Sequence, residues 1–434
     1  MAEKNWQAYD KDHIWHPYTQ MQLVPEAIGV DRGEGSYLYL SDGRKIFDAI
    51  SSWWLTLHGH AHPVIAKAIA AQAKKLEQVI FAGFTHEPAS VLAKKLIEHA
   101  PEKLEKVFFS DDGSTAVEVA MKMCVQYWHQ HKETRTTFLA LEGAYHGDTF
   151  GAMSASARGI FTHPFGSMLF HVIHMPFPTP PVNGSKEYSK SEELFLEQLR
   201  NHAKHDHRIA GFIYEPLLLA AGGMKTWRSN VMEEAVKIAK EYGVLTIADE
   251  VMTGFGRTRT FFASDTIAFP PDIMTLSKGI TGGFLPLGVT LATKKIYEAF
   301  LSDDRSQTFF HGHSYTGNPI SCAAAVASFG IFEQEPVMDR IATICSVHNE
   351  LMPKLAEKNN YNFRIQGTMA AMEPKNPEGY LSAKMQALGK ACLDKGMLIR
   401  PLGDTIYFLP PYSTTRQDLE EAYGKLQEIL DNDF

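Results

Sequence analysis

Six short apolar runs constrain the fold more than any other feature of this chain. They are "KVFFS" and "TFLAL" in the first third, "GFIYE" and "VLTIADE" near the middle, then "DIMTLS" and "LGVTLAT". Each is too short for a helix, and helical stretches such as Ser114 to His131 and Val231 to Tyr242 separate them. Continuous apolar runs alternating with helices predict strands buried on both faces, so the expected class is α/β with a mostly parallel central sheet and helices on both sides. Helical periodicity is also expected from Val64 to Gln78. Ahead of it, "YLYLSDGRKIFDAIS" places two apolar runs around Asp42-Gly43, a dipeptide suited to a tight hairpin turn. We expect residues 1–60 to join a small domain, 61–329 to form a large domain around the central sheet, and 330–434 to complete the small α+β domain. The proline-rich segment Pro176 to Ser191 reads as a surface excursion.

Composition narrows the partners. Of 434 residues, 44% are hydrophobic and 21% charged, and the net charge of −8 comes with no clustered basic face, so nucleic acid is not an expected ligand. The polar start "MAEKNWQAYDKDH" and the absence of an apolar run of about 20 residues predict a cytoplasmic protein without membrane contact. Cys124, Cys322, Cys345 and Cys392 are far apart and suit reduced, packed thiols.

Ligands of a parallel sheet sit beyond the carboxyl ends of its strands, which directs attention to the residue after each run. Gly113, Ser114 and Thr115 follow "KVFFS" and open a helix, where free N–H groups and the helix dipole favour phosphate. Tyr145, His146 and Asp148 follow "TFLAL". Asp249 ends "VLTIAD", and a carboxylate there requires compensation, for which an arginine such as Arg257 or a protonated heteroaromatic nitrogen would serve. Lys278 follows "DIMTLS", and a lysine near apolar surface keeps its amine neutral and able to condense with an aldehyde. A phosphate cradle, an aromatic ring, a carboxylate and an amine match the four handles of pyridoxal 5′-phosphate.

Two rival classes are weaker. Histidines in "HGHAH" and "HAKHDH" raise a metal-dependent hydrolase, but neither cluster carries a carboxylate at metal-site spacing, and no metal site is expected. "GFGRTR" lacks the third glycine of a dinucleotide fingerprint.

The motifs "ADEVMTGFGRT", "SKGITGG" and "HGHSYTGNP" resemble those of class III aminotransferases of pyridoxal-phosphate fold type I. "HIWHPYT", "SSWW", "YHGDTFGAMS" and "IRPLGDTIYFLPPY" look like the branch that aminates 8-amino-7-oxononanoate to 7,8-diaminononanoate in biotin biosynthesis, and the resemblance runs from His13 to Tyr412. It implies that Lys278 carries the cofactor, Asp249 faces its pyridine nitrogen, Gly113 and Ser114 hold its phosphate, and Tyr145 stacks on its ring. Tyr18 and Trp53 would wall the substrate pocket, Trp54 being a packed aromatic, and Arg400 would pair with a substrate carboxylate. Gly312, His313 and Ser314 would reach the site from the neighbouring subunit of a homodimer. Two departures stand out: Leu219 replaces a glutamine common beside the ring hydroxyl, and Ser314 replaces a common threonine. The aromatic walls favour S-adenosyl-L-methionine as amino donor, whereas "GGFLPLG" and "FFHGHSYTGN" look like a branch that uses lysine. Another class III omega-aminotransferase activity is the further alternative.

Overall fold

A computed structural model describes residues 6–24, 26–181 and 184–434. The first residues of the polar N-terminus and residues 182–183 of the proline-rich excursion lie outside the described residues.

The expected hairpin opens the fold. Strands β1 (Val30–Glu34), β2 (Tyr37–Leu40) and β3 (Lys45–Asp48) are consecutive and antiparallel. Gly43 turns between β2 and β3 at φ +91°, a conformation that glycine adopts without a Cβ penalty. Next come β4 (Leu104–Ser110), β5 (Thr137–Leu141), β6 (Val172–Met175) and β7 (Ile209–Tyr214), followed by the small hairpin of β8 (Leu218–Leu219) and β9 (Lys225–Thr226). The strands β10 (Leu245–Asp249), β11 (Ile273–Leu276) and β12 (Gly288–Thr293) complete a seven-stranded sheet in the order β4-β12-β11-β10-β7-β5-β6. All six runs read from the sequence are strands of this sheet.

The sheet is mixed, with β12 antiparallel to both β11 and β4 and the remaining pairs parallel. Because β12 is reversed against both neighbours, β4 points the same way as β11, β10, β7 and β5. Their carboxyl ends therefore share one edge. Helices cover both faces, as the continuous apolar runs require. On one side Val117, Ala120 and Cys124 of helix Gly113–Gln130 pack on Phe138, Ile213 and Ile247. On the other, Phe195, Leu199, Val231 and Ala235 pack on Leu139, Phe212 and Ala248.

A second sheet, β13 (Tyr361–Gln366), β14 (Met369–Pro374) and β16 (Ile406–Phe408), is covered by helices Val337–Lys358 and Arg416–Asp433. Strand β15 (Met397–Leu398) returns to pair with β3, tying the chain's two ends into one sheet. Residue 330 lies inside helix Pro319–Gln334, so the chain direction changes only after that helix ends.

Two local expectations are corrected. The helix expected to reach Gln78 stops at Ala73, because Gln72 turns back to donate to the Leu76 carbonyl at 2.9 Å and Gln78 donates to the Ser314 carbonyl at 3.0 Å. Strand β6 was not expected, since His171 and His174 interrupt its apolar pattern at the sheet's edge. The cysteines are buried, and burial pushes the thiol pKa values up. Among the described residues no helix is long and apolar enough to cross a membrane.

Candidate active site

The shared carboxyl edge opens into a cleft of about 460 Å³. Six of the residues expected there line it: Lys278, Asp249, Tyr145, His146, Gly113 and Ser114. Topology brings them together, since β11, β10, β5 and β4 each end at this edge.

Lys278 follows β11 at φ +44° and lines the cleft, its side chain half-buried. That burial lowers the pKa of its amine against the opposing pull of Asp249, Glu215 and Asp112. Among the described residues it makes no hydrogen bond or ion pair, and its Nζ lies 5.4 Å from the centre of the Trp54 ring. An amine so placed has its neutral, nucleophilic form favoured.

Asp249, only 4% exposed at the end of β10, draws its protein contacts from groups other than the arginine considered from the sequence. Arg257 is not its partner. That guanidinium is itself buried and donates to the carbonyls of Pro410, Trp54 and Thr56 at 2.9, 3.2 and 3.4 Å. Asp249 Oδ2 instead lies 2.7 Å from His146 Nδ1, while Oδ1 accepts from the Val251 N–H at 3.1 Å and the Thr275 hydroxyl at 3.3 Å. His146 is buried, and its Nε2 has no partner among the described residues. The sequence put His146 at a strand end, but gave no sign of a contact 103 residues away.

Glu215, directly after β7, is the other group the sequence left without a role. Its carboxylate accepts the Tyr145 and Ala220 N–H groups, each at 3.0 Å, and so joins two walls of the cleft. Burial pushes its pKa up to about 7.

Where β4 ends at the cleft, helix Gly113–Gln130 is capped by Asp112, which accepts the Thr115 N–H at 2.8 Å while the Thr115 hydroxyl accepts the Asp112 N–H at 3.1 Å. Thr115 is therefore spent on the cap. The anion site contracts to the N–H groups of Gly113 and Ser114, which have no intrahelical acceptor. Two glycines keep this end open: a Cβ on Gly113 would come within 2.8 Å of Val251 Cγ1, and one on Gly147 within 2.9 Å of Ser114 Cα.

The outer rim is aromatic. Tyr145 has its hydroxyl 3.4 Å from that of Tyr18, which also donates to Asp148, and burial raises the pKa of both phenols. Tyr18 meets Trp53 edge-on at 5.4 Å, and the Arg400 guanidinium stands 4.7 Å from the Trp53 ring centre. These three form one cluster beside the cleft. Trp54, expected as packing alone, lines the cleft while its indole N–H donates to Tyr407 at 2.9 Å. Leu219 faces away into the core, and the neighbouring Ala220 lines the cleft in that loop.

Gly312, His313 and Ser314 stay outside this chain's own cleft. His313 Nε2 is 3.7 Å from Asp111. The "HGHAH" histidines point to separate partners: His58 to Ser328, His60 to Asp48 and His62 to Glu335.

A family model described as aminotransferase class-III matches residues 18–430. An adenosylmethionine-8-amino-7-oxononanoate aminotransferase of Synechococcus elongatus is 44% identical over 424 residues, covering 96% of this chain and 98% of the relative. The crystal structure of the enzyme of that name from Methanocaldococcus jannaschii superposes with a TM-score of 0.92 at 35% identity, covering 99% of each chain. An omega transaminase of Pseudomonas jessenii, solved in complex with PMP, gives 0.90 at 27% identity over 98% of this chain and 97% of its own. Pyridoxal 5′-phosphate is the cofactor of the class, and the residues present fit it: an unpaired amine for the aldehyde, a buried carboxylate for the ring nitrogen, and a glycine-kept cradle of N–H groups for the phosphate. By its fold, its cleft and these matches, the chain belongs to the class III aminotransferases.

Proposed function

We propose that this aminotransferase converts 8-amino-7-oxononanoate to 7,8-diaminononanoate, a step of biotin biosynthesis, and takes the amino group from S-adenosyl-L-methionine. The observation that carries the reading is likeness along the whole chain to relatives named for that ketone, joined to a cleft lined by a lysine whose neutral form is favoured.

Pyridoxal phosphate supplies an electron sink that stabilises negative charge at the substrate carbon. Lys278 would hold the cofactor through its aldehyde; freed by the donor amine, its Nζ would carry the proton from the carbon bearing the amino group to the cofactor, and in the acceptor half carry one back to the substrate carbon. Asp249 holds the proton on the ring nitrogen. Gly113 and Ser114 bind the phosphate, and Tyr145 stacks on the ring and meets the substrate.

Tyr18 and Trp53 wall the substrate pocket, and Arg400 pairs with a substrate carboxylate. An adenine ring and a sulfonium suit such walls, at about 0.5–2 kcal/mol per aromatic contact. The active form is a homodimer, with Gly312, His313 and Ser314 completing the neighbouring subunit's site. Residues 61–329 act as the cofactor-binding domain, and 1–60 with 330–434 as the smaller one.

A donor competition with 8-amino-7-oxononanoate as acceptor tests this. S-adenosyl-L-methionine is expected to bleach the aldehyde form of the holoenzyme and support turnover. Conversion by lysine alone would overturn the donor and leave the transaminase standing; absence of turnover with either donor would overturn the acceptor.

A further inference from the structure

Both tryptophans at the cleft sit on one four-residue turn whose backbone is unusual. Ser51, Ser52 and Trp54 have φ of +52°, +58° and +70°, and none is glycine. Ser52, with ψ −84°, lies near the tight γ-turn geometry that is rare and strained for residues with a Cβ. Such a turn persists only where its surroundings enforce it.

The enforcing group is Asp48, the last residue of β3. It is wholly buried, and its carboxylate is aimed at the turn: Oδ2 accepts the Ser52 N–H at 2.7 Å and the Ser52 hydroxyl at 3.2 Å, and Oδ1 accepts the Ile50 N–H at 3.3 Å. His60 Nε2 supports it from behind, 2.8 Å from Oδ2. On the far side, Ser51 donates to the Leu409 carbonyl at 2.7 Å, and Arg257 donates to the carbonyls of Trp54 and Thr56. Asp48 does not line the cleft, yet what it holds does.

We propose that Asp48 is a positioning residue for substrate recognition, holding the Ser51–Trp54 turn left-handed so that Trp54 stands over the Lys278 amine and Trp53 joins Tyr18 and Arg400 at the rim. The inference rests on the reading of this cleft as the substrate site. Removal of the charge lets the turn relax toward ordinary φ and carries both rings out of place. Glycine at position 52 reaches the same φ and ψ without penalty, so it makes the turn independent of the carboxylate.

The test uses Asp48→Asn, the double variant Asp48→Asn/Ser52→Gly, and Ser52→Pro, which removes both the N–H and access to positive φ. Two readouts are taken from each: the quench of tryptophan fluorescence on titration with pyridoxal phosphate, and kcat and KM for 8-amino-7-oxononanoate. Asp48→Asn and Ser52→Pro are expected to raise KM about tenfold and weaken the quench, with kcat and cofactor affinity within about threefold of the parent. The double variant is expected to recover both readouts. Parent values of KM and quench in either Asp48→Asn or Ser52→Pro would overturn the proposal. So would a double variant that unfolds at the parent temperature without recovering them. A parent that binds pyridoxal phosphate but never turns over the ketone sinks the functional reading instead, and the quench then decides the role of the turn alone.

Discussion

At the scale of single residues the cleft is a problem in buried charge. Asp249 is nearly inaccessible yet keeps three donors, from His146, Val251 and Thr275, a set that stabilises a carboxylate without an arginine. Asp249→Asn keeps the volume and removes the charge. Its single-turnover rate of proton abstraction should fall about 10²–10⁴-fold while the fold survives, and an unchanged rate would take the ring nitrogen from Asp249. Glu215 is the counterpart, a carboxyl whose burial raises its pKa from 4.5 to about 7. The native state therefore holds this proton where the unfolded chain has released it. Stability should decline as pH rises from about 4.5 to about 7, by about 3 kcal/mol relative to Glu215→Gln, and level off above. Urea unfolding of both proteins across that range measures the slope, and parallel curves would show that Glu215 stays ionised throughout.

At the scale of elements, the site depends on how strand ends meet one helix terminus. Gly147, at φ +135°, lies against Ser114 in the first turn of helix Gly113–Gln130. Gly147→Ala should therefore cost about 1–3 kcal/mol in stability and weaken pyridoxal phosphate binding, read by absorbance titration; parent affinity in a destabilised variant would separate that contact from the phosphate site. The same geometry explains what the sequence could reveal. Lys278, Asp249 and Gly113 were legible because continuous apolar runs mark buried strands, and a parallel sheet aligns the ends of such runs. The partners of His146 and Glu215 were not, since they are set by the order of strands, which no local pattern encodes. Nor was the place of Trp54 in the cleft wall, expected as packing alone: it follows from positive φ at residues with a Cβ, which sequence preferences argue against. The reversal of β12 was equally hidden, because a strand buried on both faces reads the same in either direction.

At the scale of the whole molecule, the cleft lies near a surface that this chain leaves bare. Ile80 and Phe84 are 63% and 60% exposed, Phe310 and Tyr315 72% and 66%. Their two segments are neighbours, since Gln78 donates to the Ser314 carbonyl at 3.0 Å and a Cβ on Gly317 would meet the Phe81 ring. Large apolar side chains gathered beside a site are the kind of surface a second subunit covers. In the proposed dimer that subunit draws Ser314 toward its neighbour's phosphate cradle, and complementation is the discriminating measurement. Lys278→Ala lacks the amine, and Ser314→Asp puts a negative charge where phosphate would sit; each alone should be inactive. A heterodimer of the two pairs one intact Lys278 with one intact Ser314 at a single cleft, so random exchange of equal amounts should restore about a quarter of parent activity. No recovery after exchange is verified by mass would mean that each chain completes its own site, and the exposed 310–318 segment would then need another occupant.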